Sequence, residues 1–208
     1  AKKEEKLFKF NFKTTPLAKH KDLKSNPMLP QITILVNAGV VSGYNPSFFG
    51  PNDTLTRAQF LKMVVNAFQL TSKTAVLTAN PCKDVTKRAW YASYFATAKE
   101  LGIVKGYTDG TCKPDQAVTR SEATKILFHA IANIQGKTAT IVVAAVGAND
   151  VNPFKDINPK DDLYKYIVSA QKYGFMSGYG KQLFGPNINL TRAQAAKIIV
   201  NSLNKLAV

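Results

Sequence analysis

One pattern occurs three times along the 208 residues, and this repetition constrains the fold more than any other feature. Four markers recur with shared offsets of 63 and then 72 residues. They are Gly-Tyr at 43, 106 and 178, Thr-Arg at 56, 119 and 191, glycine at 39, 102 and 174, and proline at 51, 114 and 186. Shared offsets at independent markers indicate a triplicated structural unit.

The offsets divide the chain into three copies with segments before and between them. We assign residues 1–19 to a basic N-terminal segment, 20–68 to copy one, 69–81 to a connector, 82–131 to copy two, 132–153 to a connector and 154–208 to copy three. Phe8, Phe10 and Phe12 alternate with polar residues, and residues 138–146 are apolar and β-branched. Both stretches predict short strand-like or extended segments.

Each copy predicts a helix, a glycine-containing loop and a second helix. In copy two, side chains at helical spacing precede Gly102, which is placed to end the first helix: Tyr91, Tyr94, Phe95, Ala98 and Leu101. Thr119 and Glu122 form the sequence signature of a capping box, as do Thr56 with Gln59 and Thr191 with Gln194. In copy one, Pro27 and Pro30 interrupt the expected start of the first helix.

A single helical hairpin cannot bury its own apolar stripe, so the three copies are expected to share one core. The predicted fold class is all-α, with three helix-loop-helix repeats packed as one pseudo-threefold domain. No apolar run approaches the ~20 residues that a membrane-spanning helix needs, so no membrane span is expected.

The charge is strongly basic, with 28 Lys and Arg against 13 Asp and Glu. A net charge of +15 attracts polyanions, and nucleic acid, anionic lipid and acidic wall polymers all fit this description.

The repeated motifs resemble the S-layer homology family. In copy two they are Cys82-Lys-Asp84-Val85, Trp90, Gly102 to Tyr107, Thr111 to Pro114 and Thr119-Arg120-Ser121-Glu122; in copy three, Phe154-Lys-Asp156-Ile157, Gly178-Tyr179, Phe184-Gly-Pro186 and Thr191-Arg192-Ala193-Gln194. The resemblance covers roughly residues 20–203. It implies an extracellular, cell-wall domain that anchors a surface protein non-covalently to an anionic, often pyruvylated, secondary wall polysaccharide. It also implies that ligand lies in grooves between repeats and that the arginine of Thr-Arg is central.

Arg57, Arg120 and Arg192 each follow a capping threonine, at the first position of the second helix. Capping explains the threonine and the Glu or Gln, but a cation at a helix N-terminus is mildly unfavourable, by ~0.3–1 kcal/mol. A guanidinium beside free helix N–H groups is suited to a carboxylate or phosphate. The alternative is a structural salt bridge to an acidic residue of the preceding loop, such as Asp53 or Asp115.

Other candidate ligand-binding residues have an equally ordinary structural role. Trp90 and the loop tyrosines Tyr44, Tyr107 and Tyr179 suit sugar stacking or core packing. Gly43, Gly106 and Gly178 suit turns, and would also let a ligand approach the backbone. Asp84 and Asp156 precede helices and suit capping or a contact with a ligand hydroxyl. Because Asp162 replaces Trp90 in copy three, and two copies carry Gln for Glu, the grooves are not expected to be equivalent.

The two cysteines align with two phenylalanines of copy three. Cys82 lies 72 residues before Phe154, and Cys112 lies 72 before Phe184. A paired replacement predicts that both pairs are in contact and that the cysteines form a disulfide, which belongs outside the cytosol. Two buried free thiols are the alternative.

Two other function classes compete with wall binding. The only histidines are His20 and His129, and no nucleophile lies beside a base, so we expect no enzyme, metal site or cofactor. A nucleic-acid binder would suit the charge, but the loop from Gly102 to Thr119 is much longer than the three or four residues of a DNA-reading turn. We therefore expect a monomer that binds no nucleic acid; a protein–protein interaction module stays open.

Overall fold

The computed structural model describes residues 20–71, 77, 79–136 and 152–206, and these ranges form an all-α domain, as predicted. A 3₁₀ turn at Lys21–Leu23 precedes six helices: α1 (Leu29–Asn37), α2 (Arg57–Ala67), α3 (Ala92–Glu100), α4 (Arg120–Ile134), α5 (Tyr164–Lys172) and α6 (Arg192–Leu206). The extended segments predicted around Phe8 to Phe12 and at 138–146 lie outside the described residues. Among the helices of the described ranges, none combines the length and apolar character of a membrane span.

The predicted capping residues begin and end the helices. The Thr119 hydroxyl accepts a hydrogen bond from the Glu122 N–H at 3.3 Å, and the Glu122 carboxylate accepts one from the Thr119 N–H at 3.1 Å. The α2 and α6 starts are built in the same way. Gly102 ends α3 with φ of +68°, and Ile103 N–H donates to the Ala98 carbonyl at 2.7 Å in a Schellman motif.

The prediction that prolines interrupt the first helix of copy one is wrong. Helix α1 begins at Leu29, and Pro30 lies within its first turn. Proline is well placed there, because the first N–H groups of a helix have no intrahelical acceptor.

The copies interlock in a cycle. The first helix of each copy packs on the second helix of the preceding copy: α3 on α2, α5 on α4, and α1 on α6. The three second helices also contact one another at the centre. Each apolar stripe is therefore buried by a neighbouring copy, which gives the pseudo-threefold arrangement its physical basis.

A ring of backbone hydrogen bonds closes the centre. Leu55 N–H donates to the Leu190 carbonyl, Leu190 N–H to Val118, and Val118 N–H to Leu55, each at 3.0 Å. All three side chains are buried in the common core. Because each bond joins two different copies, no copy can complete this arrangement alone.

The disulfide predicted from the repeat alignment is confirmed. Cys82 and Cys112 are joined, with Cα atoms 5.8 Å apart. In copy three the rings of Phe154 and Phe184 occupy the equivalent positions, 5.3 Å apart.

Candidate ligand-binding grooves

Each second helix begins beneath the loop of the next copy. Arg57 N–H donates to the Gln116 carbonyl at 2.8 Å, and Ala58 N–H donates to Pro114 at 3.0 Å. The next N–H, of Gln59, donates to the capping threonine. The same pattern recurs at Arg120 and Arg192. The prediction that free helix N–H groups assist anion binding is therefore wrong, and only the arginine side chains are available for that role.

Each arginine side chain is buried and held by backbone carbonyls of the next copy. Arg120 Nε donates to the Phe184 carbonyl at 2.9 Å and its Nη2 to Ser177 at 2.7 Å. Arg192 makes the equivalent bonds to Phe49 and Ser42 at 3.0 and 2.7 Å. Arg57 Nε donates to Cys112 at 3.1 Å. These bonds fix the guanidinium plane, and burial lowers the pKa of both Arg120 and Arg192.

The loop tyrosines form platforms for these guanidinium groups. Arg192 Cζ lies 4.7 Å from the Tyr44 ring centroid, Arg120 Cζ lies 4.5 Å from that of Tyr179, and Arg57 Cζ lies 5.2 Å from that of Tyr107. Tyr44 and Tyr179 are half exposed, so core packing does not describe them. Their rings instead contribute cation–π contacts at the groove floor.

The glycines before these tyrosines lie in tightly packed turns. A Cβ at Gly43 would lie 2.8 Å from the Phe48 carbonyl oxygen, and one at Gly178 would lie 2.5 Å from that of Leu183. Gly106 has φ of +82° and the same crowding from Thr111. The turn role is thus supported at all three positions, and their ligand role stays a prediction.

The helix-cap interpretation of Asp84 and Asp156 is wrong. The Asp84 carboxylate accepts hydrogen bonds from the N–H groups of Cys112 and Lys113 at 2.7 and 2.8 Å, and α3 begins only at Ala92. Asp156 holds the loop at Phe184 in the same way. These loops carry the carbonyls that receive each arginine Nε.

A third aspartate with this role escaped the sequence analysis. Asp22 accepts hydrogen bonds from the N–H groups of Phe49 and Gly50. It lies 62 residues before Asp84, one fewer than the offset of the other markers, which concealed the match.

Three grooves lie where the copies meet, and residues of all three copies line each one. The Arg192 groove, of about 250 Å³, includes Tyr44, Gln59, Lys62 and Trp90. The Arg120 groove, of about 370 Å³, includes Met28, Tyr179, Gln194 and Lys197. The Arg57 groove, of about 640 Å³, includes Tyr107, Glu122, His129 and Asp162.

Trp90 is a surface residue on the wall of the Arg192 groove. Its side chain is 56% exposed, which contradicts the core-packing alternative. Tyr91 packs edge-on against it at 5.1 Å, and Lys62 Nζ lies 5.7 Å from its ring centroid. His129, by contrast, is half buried beside Tyr166, with Nε2 and the hydroxyl 3.2 Å apart. Burial, then Lys125 and Lys105, lower the pKa of His129.

The arginines differ in their charged partners. Arg57 Nη1 lies 3.2 Å from the Glu122 carboxylate, which also accepts a hydrogen bond from the Tyr107 hydroxyl at 2.9 Å. The salt-bridge alternative therefore holds for Arg57, with Glu122 of copy two as the partner instead of Asp53 or Asp115. Within the described ranges, Arg120 and Arg192 form no ion pair.

The family model described as the S-layer homology domain matches this chain three times, at residues 21–61, 83–124 and 153–196. The chain belongs to the S-layer homology family. These domains are found in proteins of the bacterial cell wall and surface layer, where they bind cell-wall polymers and anchor the proteins that carry them.

Curated relatives share the S-layer homology region. An amylopullulanase of Thermoanaerobacterium thermosulfurigenes is 31% identical over 88% of this chain and 9% of its own length. A surface-layer 125 kDa protein of Lysinibacillus sphaericus is 30% identical over 83% of the chain and 14% of its own length. A cellulosome-anchoring protein of Acetivibrio thermocellus is 27% identical over 81% and 36%. The chain thus spans a small part of each relative, and the S-layer homology domain is an anchoring domain that is not enzymatic by itself.

Proposed function

We propose that this domain anchors a larger surface protein by binding an anionic, often pyruvylated, secondary cell-wall polysaccharide in the grooves between its copies. The observation that supports this most is a buried, rigidly held guanidinium at the floor of each groove. The grooves are complete within one chain, so the domain is proposed to bind as a monomer.

The argument starts from the cost of burying a charge. Arg120 and Arg192 are 5% and 7% exposed, and their hydrogen-bond partners are neutral carbonyls. A desolvated cation is costly unless an anion accompanies it. Asp156 acts on Arg120 through space, but backbone N–H groups of Phe184 and Gly185 already occupy its oxygens. A ligand carboxylate would supply the missing charge, with charge-assisted hydrogen bonds from the remaining guanidinium N–H groups.

The Arg192 groove adds a surface for the sugar ring. Trp90 presents an exposed aromatic face beside Lys62 and Gln59. An indole ring matches the apolar face of a hexose, while the neighbouring amide and ammonium groups suit its hydroxyls. We therefore place a sugar residue against Trp90 and its acidic substituent at Arg192.

The covered helix starts argue against a nucleic-acid binder. A DNA-reading helix inserts its N-terminal residues into the major groove. Here the first residues of α2, α4 and α6 lie beneath loops of the neighbouring copies. The polysaccharide proposal therefore accounts for the basic charge better than a helix-turn-helix role does.

Sedimentation with wall sacculi of the producing bacterium tests this proposal. The purified chain should co-sediment with intact sacculi, and should stay in the supernatant after the non-peptidoglycan polymer is chemically stripped. The isolated polymer should compete, whereas duplex DNA should not. Equal binding to stripped sacculi would contradict the proposal and point to peptidoglycan or to unspecific charge.

A further inference from the structure

We infer that Glu122 closes the Arg57 groove to anionic ligands, so that the domain offers two anion-binding grooves, those of Arg120 and Arg192, instead of three. This inference rests on the proposed function and deepens it. It concerns the third residue of each second helix, which is Gln59 in copy one, Glu122 in copy two and Gln194 in copy three.

Glu122 is fixed in place by bonds to both of its oxygens. Oε1 receives Arg57 Nη1 at 3.2 Å and the Tyr107 hydroxyl at 2.9 Å, and Oε2 receives the Thr119 N–H at 3.1 Å. The carboxylate thus occupies the guanidinium site that a ligand anion would need. An incoming anion would have to displace it and would remain beside a like charge, which is strongly unfavourable in a partly buried site.

The equivalent residues in the other grooves are neutral. Gln194 Nε2 donates to the Tyr179 hydroxyl at 3.3 Å, and Gln194 lines the groove with Arg120. Gln59 lines the groove with Arg192. An amide at this position leaves the guanidinium charge uncompensated and offers a further hydrogen-bond donor to a ligand oxygen.

The groove walls strengthen this difference. In the Arg57 groove, the three basic lining residues, Arg57, Lys105 and Lys125, are balanced by three acidic ones, Glu122, Asp161 and Asp162. The other two grooves each have two basic lining residues and, among the described residues that line them, no acidic one. Because the Arg57 groove is also the largest, charge and not size excludes an anion from it.

Calorimetric titration with a small monovalent probe tests the inference. The probe is the methyl glycoside of a pyruvylated hexosamine, and its methyl ester serves as the uncharged comparison. The wild-type chain should bind two probe molecules, and Glu122→Gln should bind three, with the third groove gaining at least about tenfold in affinity. The converse changes Gln59→Glu and Gln194→Glu should each remove one site. The ester should not distinguish the variants.

The variants are matched for folding, because both Glu and Gln occur at this capping position in the natural chain. Unfolding temperatures should confirm this, and Asp115→Asn, at an exposed loop position, controls for net charge. Trp90 is the only tryptophan, so its fluorescence follows the Arg192 groove alone and should titrate equally in wild type and Glu122→Gln. Three wild-type sites, or two in Glu122→Gln, would overturn the inference alone. Absence of binding to both proteins would overturn the proposed function and the inference with it.

Discussion

The rings of Phe154 and Phe184 lie 5.3 Å apart in copy three, in the place where Cys82 and Cys112 form a disulfide in copy two. In copy one, His20 and Phe49 meet edge to face at 6.4 Å. The second member of each pair provides the carbonyl that accepts a hydrogen bond from an arginine Nε. One structural contact beneath the grooves is therefore made by three different chemistries.

The disulfide should contribute substantially to stability. Cys82 and Cys112 lie 30 residues apart, and replacing both by alanine should lower the free energy of unfolding by about 3–4 kcal/mol in the chain-entropy model. Urea unfolding under oxidising conditions measures the difference. Wild type with a thiol reductant should approach the double variant. Equal stabilities of oxidised wild type and variant would contradict this prediction.

The groove arginines should separate into two classes. Arg120→Ala and Arg192→Ala should each weaken polysaccharide binding by roughly tenfold or more, because each removes charge-assisted hydrogen bonds. Lysine should not restore binding, since it lacks the planar fork that bonds two carbonyls and the ligand at once. Arg57→Ala is the matched comparison and should change binding little. Circular dichroism checks that helix content is retained, and equal losses at all three positions would contradict the division.

Trp90 should matter for binding and little for stability. The ring is 56% exposed, so Trp90→Ala should leave the unfolding temperature nearly unchanged. Loss of the stacking surface should weaken binding by roughly tenfold, and Trp90→Tyr should retain part of it. Leu183→Ala, at another exposed apolar position, is the control. Unchanged polysaccharide affinity in Trp90→Ala would remove the tryptophan from the site.

Asp156 should make stability depend on acid pH. Burial raises its pKa, but hydrogen bonds from the N–H groups of Phe184 and Gly185 outweigh this and hold the pKa below its usual value. Its stabilising contribution is therefore present above the unfolded pKa of about 3.9 and is lost as pH falls through the folded pKa. Asp156→Asn should cost about 1 kcal/mol at neutral pH. Unfolding at pH 7 and pH 2 should show that this difference shrinks in acid; a constant difference would contradict it.

Features set by local or repeated sequence could be predicted. The capping boxes at Thr56 and Thr119 and the glycine ending α3 involve residues within a few positions, where side-chain chemistry decides the outcome. The disulfide followed from comparing copies, because aligned positions in a repeat share one contact.

Features that join the copies could not be predicted in the same way. Asp84 bonds the N–H of Cys112, and Arg192 bonds the Ser42 carbonyl 150 residues away, so neither role is visible in nearby residues. Glu122 was explained fully by its capping role, which concealed its second bond to Arg57. The same reasoning left the helix N–H groups free, whereas the next copy covers them.

A crystal structure of the chain with a pyruvylated fragment of the wall polysaccharide tests the central claim most directly. The account predicts ligand carboxylates within hydrogen-bonding distance of the Arg120 and Arg192 guanidinium groups, with a sugar ring against Trp90 in the Arg192 groove. A fragment bound on the lysine-rich outer surface, with both of these grooves containing only solvent, would contradict it.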